Sequence, residues 1–151
     1  MSGIVGKGTR SRIMSSIRGK NTKPEITLRK LLHSQGVRFR LHRKDLMGKP
    51  DLVLPKYKLV IFVHGCFWHQ HIGCYYASKP STNVTFWKDK LESNVRRDLL
   101  VIEQLKKQGW RVAIVWECGL KHVPDQIEQL KCFITGCELE YEWPIRLSRP
   151  K

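Results

Sequence analysis

The chain has 151 residues, about one domain's worth, with 41% hydrophobic and 27% charged residues, enough for a single core. No stretch approaches the roughly 18 apolar residues of a membrane span, and the amino-terminal MSGIVGKGTRSR has no apolar signal core, so a cytoplasmic protein without a membrane role is expected. Lys and Arg total 28 against 13 Asp and Glu, a net charge of +15; such a surface favours polyanions, nucleic acid first.

Residues 1–21, rich in Gly, Ser, Lys and Arg, read as an arm with a short helix around Arg10–Ile17. Thr22-Lys-Pro-Glu25 is a capping box with proline just inside a helix start. Leu28, Leu31 and Leu32 recur at helical spacing until Gly36. VRFRLH (37–42) alternates like a strand. DLVL (51–54) and KLVIFV (58–63) predict a hairpin, and the second strand, apolar throughout, is expected near the middle of the sheet. A helix follows from about Thr85 to Gln108, with Leu91, Val95, Leu99, Ile102 and Leu105 as its apolar stripe. WRVAIVWE (110–117) is a further buried strand, reached by a parallel crossover. Pro124–Ile134 reads as a short helix ended by Gly136, and residues from Glu138 onward as a loosely packed tail. The expected architecture is a mixed α/β domain with helices on both faces of the sheet, bounded as arm 1–21, domain 22–136 and tail 137–151.

The stretch HGCFWHQHIGC (64–74) concentrates the chemistry. Five cysteines in a chain without a signal argue against a disulfide framework, and clustered cysteine with histidine points to metal. Cys66, His71 and Cys74 form C-x4-H-x2-C, short enough to wrap one ion. Cys118 follows the strand 110–117 as the motif follows 58–63. If the two strands are parallel neighbours, it completes a closed Cys3His set suited to structural Zn2+. On sequence alone His69 competes with His71 for that set. Cys132 and Cys137 form C-x4-C at a helix end, a rival ligand pair by spacing, and read in preference as core thiols. Phe67 and Trp68 lie between ligands in a short loop, and Trp87 begins the long helix. On a basic surface such aromatics stack on or wedge between bases, or else pack as a small core around the loop. GKPDLVL has the Pro-Asp of the PD-(D/E)xK nucleases, whose acid binds Mg2+. The expected Glu-x-Lys is absent, since the next strand reads IFVHG, and an ordinary turn residue explains the dipeptide as well. Glu25 is already explained as the third residue of its capping box. His64 and His69 are acid–base candidates or surface histidines, and Asp98 is a carboxylate able to orient one of them or to pair with a helix-face cation.

TRSRIMSSIRGKNTKPEI, GKPDLVLPKYKLVIFVHGCFWH, FWKDKLESNVRRD and GWRVAIVWEC together resemble the very-short-patch repair endonucleases, bacterial enzymes that nick T:G mismatches, over about Thr9 to Ile134. The resemblance implies a restriction-endonuclease-like mixed sheet flanked by helices, with a structural zinc. It implies Mg2+-dependent nicking of double-stranded DNA on the 5′ side of the thymine in T:G mismatches left by 5-methylcytosine deamination. In this sequence it implies that Asp51 and the backbone carbonyl of Val63 hold Mg2+, that His69 is the catalytic histidine oriented by Asp98, and that Glu25 and His64 hold metal-bound water or assist near the phosphate. It assigns Zn2+ to Cys66, His71, Cys74 and Cys118, and a DNA wedge to Phe67, Trp68 and Trp87, with Met14 and Ile17 in an inserting arm. A monomer used at the nucleoid and recruitment of a mismatch-repair partner protein are implied too. The sequence departs from the family twice: Val63 stands where relatives carry Thr, which preserves a carbonyl ligand but not a hydroxyl, and the zinc loop is one residue longer. A PD-(D/E)xK-type nuclease with another DNA target and a non-catalytic zinc DNA-binding module are the competing readings. The module leaves Asp51 and His69 without roles.

Overall fold

The computed structural model of the chain describes residues 22–41, 43, 45–72, 74, 77 and 80–144. The expected helix around residues 10–17, with Met14 and Ile17, lies outside the described residues. Helix α1 (Lys23–Ser34) starts at Thr22, whose hydroxyl accepts from Glu25 N at 3.4 Å, and has proline in its first turn; this is the capping pattern read from sequence. Strand β1 (Arg40–Leu41) keeps only two residues of the expected 37–42, both exposed, because it is the sheet's edge. β2 (Leu52–Leu54) and β3 (Leu59–His64) pair antiparallel around a 3-10 turn at Pro55–Tyr57. Helix α2 (Val84–Lys107) crosses over to β4 (Arg111–Trp116), which lies parallel to β3. Then come α3 (Glu117–His122), a 3-10 turn (Pro124–Ile127), α4 (Glu128–Thr135) and β5 (Glu140–Trp143). The strand order is β1-β2-β3-β4-β5, antiparallel as far as β3 and parallel from β3 to β5.

Side-chain alternation along the strands builds two cores. Leu52, Leu54, Leu59, Ile61, Ala113 and Val115 face one side, where α1, α3 and α4 supply Leu28, Leu32, Leu120, Leu130 and Ile134. Val53, Val60, Phe62, Val112, Ile114 and Trp116 face the other, against α2 and the cysteine loop. Between Leu59 and Val63 in β3 and between Val112 and Trp116 in β4 every residue is apolar, as central strands covered on both faces require.

Three expectations fail here for identifiable reasons. Leu99 is 62% exposed, while Leu91 and Leu105 are buried. The inward stripe of α2 runs 91-95-98-102-105, so Asp98 takes the place that Leu99 was expected to fill. Cys132 and Cys137 are exposed, because α4 turns Leu130, Phe133 and Ile134 inward instead. The expected loose packing after Glu138 does not hold for Glu140–Trp143, which pair with β4 and bury Trp143 to 1%. Arg111 makes that docking stick: buried, it donates to Phe133 O, Ile134 O and Glu138 O at 2.5–3.0 Å. One guanidinium thereby satisfies the carbonyls ending α4 and anchors the entry to β5.

A β-carbon at Gly119 would lie 2.5–2.8 Å from Pro144 and Trp143, so α3 and β5 meet closely. Trp143→Ala is expected to lower the unfolding free energy by roughly 3–5 kcal/mol, measured by urea denaturation. A loss under about 1 kcal/mol would show that β5 is not part of the cooperative core.

Candidate functional site

The parallel register pairs His64 with Trp116, so the segments leaving β3 and β4 emerge side by side. One is the loop from Gly65; the other is α3, whose second residue is Cys118. The loop turns tightly, with His71 N donating to Cys66 O at 3.0 Å and Cys74 N to His71 O at 3.1 Å. As a result, Cys66 Sγ, His71, Cys74 Sγ and Cys118 Sγ have their ligand atoms within 4.8 Å of one another. His71 Nδ1 is 3.8 Å from Cys66 Sγ and 3.5 Å from Cys118 Sγ. A tetrahedral zinc with Zn–S about 2.3 Å and Zn–N about 2.05 Å sets nitrogen and sulfur about 3.6 Å apart, so this donor set fits Zn2+. The far side of the imidazole is held as well: Nε2 lies 3.0 Å from Pro144 O, and the ring stacks on Trp116 at 4.2 Å. A donor bond from Nε2 leaves Nδ1, the nitrogen facing Cys66 and Cys118, with its lone pair toward the thiols. Without an ion the Cys66 thiol is pushed up by its Cys118 neighbour and by burial, an arrangement a cation relieves.

His69 points elsewhere. Its Nδ1 is 2.6 Å from Asp98 Oδ2, and its ring stacks on His64 at 3.8 Å between centroids. Two contacts from one face of α2 hold this half of the loop: Asp98 to His69, and Asn94 Nδ2 to Trp68 O at 3.2 Å, one helical turn away. Burial and the neighbouring His69 keep His64 well below the usual histidine range, so it is neutral near pH 7 and adds no repulsion to His69. With Nδ1–H donated to a carboxylate, neutral His69 presents Nε2 as a base.

Asp51, just before β2, faces the same space. Its Oδ2 accepts from Val63 N at 2.7 Å, a bond across the β2–β3 hairpin. Glu25 reaches it from α1, 2% exposed and bonded to Arg29 Nη2 at 2.9 Å. Burial above all, with the Glu25 charge added, pushes the Asp51 carboxyl up to about 8, although the Val63 bond opposes it. Burying two carboxylates together is costly unless a cation joins them, and an oxygen donor set of this kind fits a hard divalent ion such as Mg2+. Asp51, Val63, His64, His69 and Asp98 line one cleft of about 330 Å³, with Lys49 and Arg97 also on its walls.

Phe67, Trp68 and Trp87 form a half-buried trio with centroids 5.1–5.9 Å apart. Each ring edge-packs on another, so both readings of these aromatics share one geometry: a mini-core with a partly open outer surface. Sequence reasoning missed Phe86, 61% exposed and edge-on to Trp87. It also missed Asn94, visible only as Asp98 minus one helical turn, and Glu117, whose Oε1 accepts from Cys66 N at 3.4 Å. For Glu117 no local signal exists.

The family profile described as DNA mismatch endonuclease Vsr matches residues 2–75. The type II nicking enzyme V.XorIIP of Xanthomonas oryzae pv. oryzae is 53% identical over 108 residues, covering 72% of this chain and 79% of its own. The DNA mismatch endonuclease Vsr of Escherichia coli is 46% identical over 121 residues, 80% of this chain and 77% of its own. Among solved structures, the catalytic domain of homing endonuclease I-Bth0305I is similar over 75% of this chain and 94% of that domain, at 23% identity and a TM-score of 0.45.

Cys118→Ser is expected to abolish retention of a stoichiometric zinc, read by elemental analysis after dialysis. It should also lower the melting temperature by roughly 5–15 °C, a loss of a few kcal/mol for a domain this size. Full zinc content in the variant would remove Cys118 from the set.

Proposed function

The chain belongs to the Vsr family of DNA mismatch endonucleases, and from that premise we propose that it nicks one strand of double-stranded DNA on the 5′ side of the thymine in a T:G mismatch. The observation that carries this reading is the opposition, in one cleft, of a carboxylate-fixed histidine (His69–Asp98) and a partly buried acid (Asp51). The reaction is hydrolysis of a phosphodiester. Water attacks phosphorus, the bond to the 3′ oxygen breaks, and the products carry 3′-hydroxyl and 5′-phosphate ends.

His69 Nε2 takes the proton of the attacking water, and Asp98 holds the ring in the tautomer that makes this nitrogen basic and steadies the charge that forms. His64, neutral and stacked beneath it, fixes the ring plane. Asp51 and the Val63 carbonyl would hold Mg2+, which when bound supplies Lewis acidity at the phosphate. Glu25 and its partner Arg29 set the charge behind Asp51. Val63 in place of threonine leaves the carbonyl role intact. Cys66, His71, Cys74 and Cys118 would hold Zn2+, which cross-links the loop to α3 and so fixes where His69 and Trp68 stand.

Phe67, Trp68 and Trp87 enter the base stack beside the mismatch, helped by the arm 1–21 with Met14 and Ile17. Unstacking a step costs a few kcal/mol, and a wobble pair starts from a weaker stack, so the wedge selects mismatched sites before any base edge is read. The +15 charge steers and holds the duplex. The protein acts as a monomer in the bacterial cytoplasm, at the nucleoid, and hands its nick to a mismatch-repair partner; among the described residues no helix is long and apolar enough to cross a membrane.

A duplex panel tests the target: T:G, matched and branched substrates with Mg2+. Nicking confined to T:G supports the proposal, equal cutting of branched DNA supports a nuclease of another target, and no cutting leaves a binding module. His69→Ala should slow single-turnover nicking roughly 10²- to 10⁴-fold with duplex binding retained; unchanged rates remove it as the base.

Asp51 generates a pH prediction. Its carboxyl sits at about 8 in the metal-free fold against about 3.9 unfolded. A raised acid is ionised earlier in the unfolded chain, so this contribution to stability is present at low pH and is lost as pH rises toward 8. Mg2+ requires the ionised form, so its binding near pH 6.5 should release close to one proton. Calorimetry in buffers of different ionisation enthalpy reads that number, and Asp51→Asn should reduce it to near zero.

A further inference from the structure

The cleft carries cations that none of these roles uses. Lys49 and Arg97 line it together with Asp51, Val63, His69 and Asp98. Both side chains are exposed, and neither makes a hydrogen bond or ion pair with another described residue. Most other cleft-facing charge is committed: Asp98 to His69, Asp51 to Val63 N.

The fold brings these two cations to one place through a close backbone approach. Gly48 and Lys49 both have left-handed backbones, φ 75° and 48°. A β-carbon at Gly48 would sit 2.4 Å from Val101 Cγ1, so the turn lies directly against α2. Arg97 is one helical turn before Val101 and shares its face. A lysine held at positive φ is uncommon and persists because its surroundings impose it; here the imposed turn delivers its side chain to the cleft.

The chemistry calls for such groups. Partly buried Asp51 and Asp98 in the cleft wall, with buried Glu25 behind Asp51, oppose the approach of a phosphate, and attack adds negative charge to its non-bridging oxygens. In PD-(D/E)xK nucleases a lysine on the strand after the Asp meets that charge, and here the strand reads IFVHG, without one. We propose that Lys49 and Arg97 grip the two non-bridging oxygens of the scissile phosphate and stabilise the charge developing there, in place of the missing lysine. Arg97, a planar fork of donors, can also hold an oxygen pair in a fixed orientation. The proposal rests on the cleft being where the phosphodiester is cut.

The test uses the full chain with zinc and Mg2+. Lys49→Gln, Arg97→Gln, Arg97→Lys and the double Gln variant are compared with Asp51→Asn and His69→Ala on a T:G duplex under single-turnover conditions, with thermal melting as the check on folding. Each Gln variant should nick roughly 100-fold more slowly while duplex affinity falls by less than about tenfold, and Arg97→Lys should recover part of the rate. Binding is then measured in Ca2+ with a neutral methylphosphonate at the scissile position. It should weaken binding by the native protein clearly more than binding by the double variant, which keeps only the metal's share of the penalty. Rates within about threefold of native for folded variants, or the same methylphosphonate penalty in both proteins, overturn the clamp. If Asp51→Asn and His69→Ala also nick normally, the cleft itself is misassigned. If those two fail while the Gln variants do not, only the clamp is wrong.

Discussion

The parallel pairing of β3 with β4 is the constraint on which the rest of the molecule depends. Its register places His64 opposite Trp116, so each chain leaves the sheet at the same level and in the same direction. From one exit come Cys66, His71 and Cys74, and from the other comes Cys118. A slip of one residue would send His64 to the α1 face and Val63 to the α2 face. It would part the imidazole from its stacking partner His69 and carry Val63 N away from Asp51. Apolar burial on both faces of these strands sets the register, so the hydrophobic core decides the position of the polar site.

The loop between Gly65 and Cys74 is held from three directions. Cysteines and His71 tie it to α3, Asn94 and Asp98 tie it to α2, and Pro144 O closes the far side of His71. The last of these comes from the residue that follows β5, a strand whose docking rests on buried Arg111 and on Trp143 against Gly119. A short loop whose cysteines, histidines and aromatics face different neighbours has little freedom to find its own shape. Cross-links to three elements replace the rigidity that a helix or strand would supply.

Charge is divided by depth. Glu25 is buried behind the cleft and Asp51 is partly buried in its wall, where desolvation raises its carboxyl. The cations Lys49 and Arg97 stand at the exposed walls, so the outermost charge of the cleft is positive.

Much of this was legible in the sequence, because it is written in local patterns. The expected hairpin marked β2 and β3, and unbroken apolar runs marked β3 and β4 as buried strands. The Thr22 cap marked α1, and the histidine and cysteine density marked the loop. What remained ambiguous was whatever depended on distant approach. Whether His69 or His71 turns to the thiols is decided by Asp98, twenty-nine residues from His69, and by Pro144, seventy-three from His71. The stripe on α2 was misread at Leu99 because spacing alone does not reveal that a polar residue, Asp98, is needed on the inward face. Strand β5 escaped notice because EYEW has no apolar run; pairing with β4 and the pocket around Gly119 make it a strand. The sequence by itself determined the elements and the inventory of chemical groups, since those follow from neighbours along the chain. Only the tertiary structure decided which group meets which, since that depends on register, close backbone approach and burial.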